Sequence, residues 1–315
     1  MAGGGSHCPY NPLLARKASK SHSHGYLLSS TGTPTEQLKR KDDTMDKNQL
    51  LEMCTTIRED ILVMLNKAKS GHPGGSLSAT ELVTALYFGG IMKYDAKNPK
   101  WEGRDFFILS KGHACPAIYA ALARAGFFSI DELGKLRRLG SILQGHPNAM
   151  LTPGLDCSSG SLGQGLSIAN GLGLAFKKQD KPNRVYCLLG DGEIQEGQIW
   201  EAAMTSAHYR LDNVCAILDS NGIQLDGRVD DIKGIEPLAD KWLSFGWNVI
   251  ECDGHDIEQV YNAYEAAMSK KSKPSILIAK TVKGKGVSFM ENNIDWHGLT
   301  PNDEQLAKAL AEIRA

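Results

Sequence analysis

An aspartate between two glycines, Gly190-Asp191-Gly192, follows the apolar run 185–189, and Asn221-Gly222 follows the run 214–219. If those runs are neighbouring strands, Asp191 and Asn221 face one cavity. One carboxylate, one amide oxygen and a nearby carbonyl suit magnesium or calcium rather than zinc. Magnesium held so sparsely keeps open positions, which phosphate oxygens fill. Asp-Gly and Asn-Gly are also ordinary turns, so the pair alone leaves both readings open.

Six of the nine histidines lie beyond residue 44, and four of those stand in Gly- or Pro-marked turns. They are His72 (SGHPGGS), His113 (SKGHACP), His146 (QGHPN) and His297 (DWHG). His72 and His113 each precede an expected helix start, where anions bind. His208 and His255 lack that setting and read as structural or exposed. The run 160–165, GSLGQG, lets main-chain groups touch a flat ring or a phosphate, or serves as a tight packing turn. Glu193, Glu196 and Glu201 stand at or beside a helix start and are either site acids or solvated first-turn acids. Lys283 and Lys285 leave the last expected strand to meet phosphate or solvent.

The elements that must position these residues follow from hydrophobic periodicity. Residues 47–68 repeat apolar side chains at helical spacing behind an Asp46/Gln49 capping box. A second helix is expected over 76–89. Short apolar runs at 106–110, 185–189, 214–219, 247–252 and 275–280 read as strands buried on both faces. Helices over 114–125, 166–178, 199–209 and 257–269 fill the gaps, and one near 302–313 ends the chain. The fold class is a doubly wound α/β domain over 45–315, its mostly parallel sheet flanked by helices. In such a sheet the ligand sits beyond the carboxyl ends of the strands.

Composition narrows the field. The 315 residues carry 35 Lys/Arg and 36 Asp/Glu, so there is no basic footprint for nucleic acid. Mean hydropathy is −0.28, and no apolar run reaches the length of a membrane span. Seven cysteines without a CxxC suggest a reducing, cytoplasmic setting. No GxxxxGK[ST] occurs and no GxGxxG follows a strand, so neither nucleotide fingerprint is present. Residues 1–44 are Gly-, Ser- and His-rich, with six Lys/Arg and one acid up to Lys41. They read as a disordered leader or tag, with a transit peptide as the alternative. Met45 reads as a natural start.

Together, SGHPGGSLS, LSKGHACPAIYA, GHPN, GSLGQG, GDGEIQEGQIWEAA, the following Asn221 and TVKGKG…WHG resemble transketolases, in the same order. The resemblance covers about residues 48–300 and implies a thiamine-diphosphate-binding fold. It implies magnesium (calcium or manganese substituting) on Asp191, Asn221 and the Ile223 carbonyl. His113, Gly192, Glu193, Asn221, Lys283 and the turn Gly160, Ser161, Leu162 would touch the cofactor. Ser161 replaces a proline common in the family. His72 and His297 would move protons and meet substrate hydroxyls, and His146 would meet the donor sugar. Glu196, with Glu201 beside it, would link the two cofactor sites of a dimer.

Single-chain transketolases are about twice this long, and no second α/β pattern follows. The expectation is therefore the amino-terminal subunit of a split transketolase, active with a carboxy-terminal subunit in a heterotetramer. It would transfer a two-carbon ketol unit between sugar phosphates, as in the pentose phosphate pathway. The alternatives are the α-type subunit of a thiamine-dependent 2-oxo acid dehydrogenase, a deoxyxylulose phosphate synthase, or a non-catalytic cofactor-binding subunit.

Overall fold

The capping box expected at Asp46 is present and starts α1 (Lys47–Ala68), which Lys69 ends in the left-handed conformation at φ 54°. The computed structural model describes residues 44–315, so the expected leader lies outside the described residues apart from Thr44. Five strands form one all-parallel sheet in the order β1-β2-β3-β5-β4. They are β1 (Phe106–Leu109), β2 (Val185–Gly190), β3 (Val214–Ser220), β4 (Asn248–Asp253) and β5 (Ser275–Lys280).

Alternation along the strands divides the core in two. Phe107, Leu109, Tyr186, Leu188, Cys215, Ile217, Leu277 and Ala279 point to one face. There they meet α1, α3 (Thr80–Phe88), α4 (Cys115–Arg124), α9 (Ile257–Ser269) and α10 (Asp303–Arg314). Ile108, Val185, Cys187, Leu189, Val214, Ala216, Leu218, Ile276 and Ile278 point to the other. That face is covered by α5 (Gly165–Lys178), α6 (Gly197–His208), α7 (Val229–Lys233) and α8 (Leu238–Ser244). A sheet clad on both faces is the doubly wound arrangement, and it explains why the strand sequences are continuously apolar.

Three details depart from the expected pattern. The helix over 76–89 is two: α2 (Pro73–Ser78) starts earlier, and Ala79 separates it from α3. Gly74 and Gly75 are poor helix formers, yet tertiary contact holds them there. A Cβ on Gly74 would lie 2.9 Å from both the Lys283 side chain and the Trp296 carbonyl. Second, α7 and α8 were not foreseen, being only five and seven residues long. Third, β4 is not buried on both faces, because it is a sheet edge with Glu251 and Asp253 exposed.

Parallel register puts every strand exit at one end of the sheet. Gly190 pairs with Asp219, and Ser220 pairs with Lys280. Lys111, Asp191, Asn221 and Lys283 therefore emerge side by side from β1, β2, β3 and β5.

Candidate active site

The strand exits enclose a cavity of about 260 Å³. Asp191, Asn221, Ile223, Gly192, Glu193, Lys283, His113, His297 and Leu162 line it. Asp191 is 3% exposed. Its carboxylate accepts from the Gly192 N–H at 2.8 Å and the Gly222 N–H at 2.5 Å. Burial, then the nearby Asp219, pushes its pKa up to about 6. An acid in that state gains from a cation beside it. Asn221 Oδ1 accepts from the Ile223 N–H at 3.1 Å, an Asx turn that fixes the amide at the cavity edge.

Lys283 resolves toward the site rather than solvent, being 2% exposed. Its ammonium donates to the carbonyls of Ile223 (3.0 Å) and Gln224 (3.3 Å) and to His297 Nδ1 (2.8 Å). Burial lowers its pKa to about 8. An ammonium only donates, so neutral His297 carries its proton on Nε2.

The four turn histidines converge from four separate loops. Ring centroids are 5.4 Å apart for His72–His113, 5.4 Å for His72–His297 and 5.2 Å for His113–His297. His146 lies 6.3 Å from His72. Burial lowers all four pKa values, with Arg137, Lys111 and Lys283 adding repulsion. His72 falls to about 4 and His297 to about 3, while His113 lies well below its usual 6.5. These imidazoles are therefore neutral near pH 7 and can accept or relay protons. Among the described residues, His72 Nδ1 is buried with no hydrogen-bond partner.

A pH dependence follows. Unfolded His72 takes up a proton near pH 6.5 and folded His72 near 4. Acidification between those values therefore favours unfolding. Asp191, whose pKa is raised, acts in the opposite sense, so the effect is read against a variant. The fall in melting temperature from pH 7 to pH 5 is expected to shrink in His72→Asn. An equal or larger fall would contradict a neutral His72.

Other residues fare differently. Glu193 lines the cavity, but its carboxylate is spent within the protein. It accepts from the Ser110 hydroxyl, the Gly163 N–H (2.9 Å) and the Gly190 N–H (3.0 Å), bracing the 160–165 turn against the end of β2. Gly160 adopts φ +156° against the His146 ring, where a Cβ would approach to 3.4 Å. Ser161, Glu196 and Glu201 are exposed and outside the cavity lining. His208 is exposed. His255 is structural: its Nε2 accepts from the Val282 N–H at 2.8 Å and its Nδ1 donates to Glu81 at 3.1 Å. It thereby fixes the loop that carries Lys283.

The sequence reading missed the floor of the site. Lys111, 2% exposed, bonds to Asp219 and to the Gly75 carbonyl at 3.0 Å. Asp219, fully buried, also accepts from Ser78 at 2.5 Å and from Thr281. Burial alone would raise the Asp219 pKa, but Lys111 turns the net shift downward. The available signal was position, since both residues stand at strand exits within flagged motifs.

The family described as transketolase, thiamine diphosphate binding domain, matches residues 50–313. The chain is a member of the transketolase family. It is 45% identical over 264 residues to the 6-deoxy-6-sulfo-D-fructose transketolase subunit SqwG of Clostridium sp. (strain MSTE9), covering 84% of this chain and 96% of that one. It is 41% identical over 256 residues to an apulose-4-phosphate transketolase subunit of Phocaeicola vulgatus, covering 81% and 90%. The transketolase of Campylobacter jejuni superposes with a TM-score of 0.82 at 34% identity, over 86% of this chain and 43% of that one.

The cavity suits the ligand of this transketolase domain. Gly75, Gly190 and Gly192 present bare backbone to it, and Lys111 and Lys283 bring two buried ammonium groups. That is a lining for a polyanion. Among the described residues, no three His, Cys, Asp or Glu side chains gather to hold a metal. A cation here would have one carboxylate, with amide, carbonyl and ligand oxygens beside it, a donor set that suits magnesium.

Proposed function

We propose that this chain is the diphosphate-binding subunit of a two-chain transketolase, moving a two-carbon ketol unit from a ketose to an aldose phosphate. The observation that carries the reading is the convergence of four neutral imidazoles beside the Asp191–Asn221 cavity. The subunit reading is supported by relatives named as subunits that match over 96% and 90% of their lengths.

Asp191, Asn221 and the Ile223 carbonyl hold magnesium, with calcium or manganese as substitutes. His113, Lys283, Gly192 and the turn Gly160, Ser161 and Leu162 seat the cofactor, and Glu193 braces that turn. Bound thiamine diphosphate supplies the carbanion chemistry of the transfer. His72 accepts and returns protons at the sugar hydroxyls, His297 donates to them from Nε2–H, and His146 orients the donor. Glu196, exposed at the start of α6, reaches toward a second cofactor site in a heterotetramer. Among the described residues the six cysteines are unpaired and mostly buried, which supports a reducing, cytoplasmic setting. The two subunit relatives are named for a sulfonated ketose and a ketose phosphate, so the donor class proposed is a ketose with an anionic terminus.

The test pairs the purified chain with its carboxy-terminal subunit, thiamine diphosphate and magnesium. Two-carbon transfer is then followed by product analysis on a panel of ketose phosphates and sulfonated ketoses. Transfer is expected from at least one donor. Decarboxylation of 2-oxo acids in place of transfer would overturn the reading.

A further inference from the structure

Between α4 and the loop carrying His146, Arg137 holds φ +60°, a conformation disfavoured for any residue with a side chain. Its N–H donates to the Leu143 carbonyl at 2.9 Å, closing the turn on itself. The guanidinium then reaches two separate loops. Nη1 donates to Ser70 Oγ at 2.9 Å, two residues before His72. Nη2 donates to the Gly145 carbonyl at 3.2 Å, immediately before His146. Gly145 permits this approach, since a Cβ there would lie 3.0 Å from the Arg137 guanidinium carbon. On the far side, Tyr119 donates to the carbonyls of Gln144 (2.9 Å) and His146 (3.1 Å). The His146 loop is thus fixed from two directions, and Arg137 ties it to the His72 loop.

We propose that Arg137 is a positioning residue that bridges the two histidine-bearing loops and holds His72 and His146 at their working separation. The rigid planar fork sends Nη1 and Nη2 to acceptors on two different loops in a fixed geometry, which a lysine's flexible point-like ammonium does not reproduce. The Arg137 guanidinium bonds to Ser70 and to the Gly145 carbonyl, so it acts through the loops. Its charge has a second consequence. It opposes protonation of His146 after burial, and of His72 after burial and alongside His146 and Lys283. The rings of His113 and His297 complete the surroundings of His72.

The consequence for turnover rests on the reading above, that these two histidines face the donor sugar. The bridge itself does not. The test compares Arg137→Lys, which keeps the charge and loses the fork, with Arg137→Gln, which loses both, in the full chain. Hydrogen exchange at the bonded amides of Arg137, Ser141 and Leu143 is expected to accelerate about tenfold to a hundredfold in both variants, with β2 and β3 unchanged. The NMR titration midpoint of His146 should move upward in Arg137→Gln and stay in place in Arg137→Lys. Parent-like exchange and midpoint in Arg137→Gln would overturn the bridge. If that variant does not fold, parent-like exchange in Arg137→Lys does so instead.

In the reconstituted pair, the donor KM is expected to rise about tenfold in both variants, with kcat changing less. Faster exchange with an unchanged KM would uphold the bridge and refute the sugar-facing reading.

Discussion

Replacing Asp191 with Asn is expected to weaken magnesium-dependent binding of thiamine diphosphate by a factor of about 10² to 10³ while leaving the fold intact. Asp191 is the one carboxylate of the proposed cation set, with Asn221 and the Ile223 carbonyl supplying neutral oxygens. Removing one partner of a buried charge pair costs about 3–5 kcal/mol, and about 1.4 kcal/mol corresponds to tenfold in affinity. The stability of the unloaded chain responds differently, because two terms oppose each other there. The asparagine has one acceptor oxygen for the Gly192 and Gly222 N–H groups that Asp191 satisfies. One unpaired donor costs about 1–3 kcal/mol.

Against that, a carboxylate whose pKa is raised to about 6 carries a penalty of about 3 kcal/mol at neutral pH, which the amide removes. The melting temperature should therefore move little while binding collapses. Calorimetric titration of the reconstituted pair with thiamine diphosphate, at fixed magnesium, reads the first quantity. A thermal melt of the chain alone reads the second. Binding within about threefold of the parent would remove Asp191 from the metal site.

How legible this site was in the sequence depended on whether a residue's role is local. His72, His113, His146 and His297 were legible because each is flanked by Gly or Pro, and His113 also stands at a strand exit, where ligands bind. Asp191 and Asn221 were legible for the same reason, through the parallel register that pairs Gly190 with Asp219. The sheet itself was legible because strands clad on both faces leave unbroken apolar runs.

Lys111, Asp219 and Arg137 were not identified, since position at a strand exit or turn does not by itself separate a buried charge from a solvated one. Their partners are remote: Asp219 for Lys111, Ser70 for Arg137. Glu193 shows the converse. It stands where a first-turn acid would be solvated, yet it is 2% exposed and fully engaged. The division at Ala79 was hidden because helix propensity argued against Gly74 and Gly75. Packing against Lys283 and Trp296 outweighs that propensity.

The largest effect expected of all is the dependence on a second subunit. The proposed ketol transfer would need an acid serving the cofactor ring, beyond the groups that seat the diphosphate. Among the described residues, the acids lining the cavity are Asp191 and Glu193. The first belongs to the cation, and the second accepts from three donors of its own chain. Neither is free for that role, and the neutral imidazoles beside them are weak acids. In the two-chain enzyme proposed above, the carboxy-terminal subunit supplies that carboxyl.

The cavity is also bordered by apolar side chains still open to solvent, Leu162 at 37% and Leu225 at 62% exposure. A covering subunit would exclude water there and strengthen the interactions within. Loss of one general acid–base group costs about 10² to 10⁴ in rate, and loss of the covering surface adds to it. The pure chain, saturated with cofactor and magnesium, is therefore expected to transfer ketol units at no more than about one-thousandth of the reconstituted rate. Titrating in the carboxy-terminal subunit should raise the rate to a plateau at equal molar amounts. Full activity from the chain alone would mean that its own residues supply the acid, and the division of labour proposed here would fall.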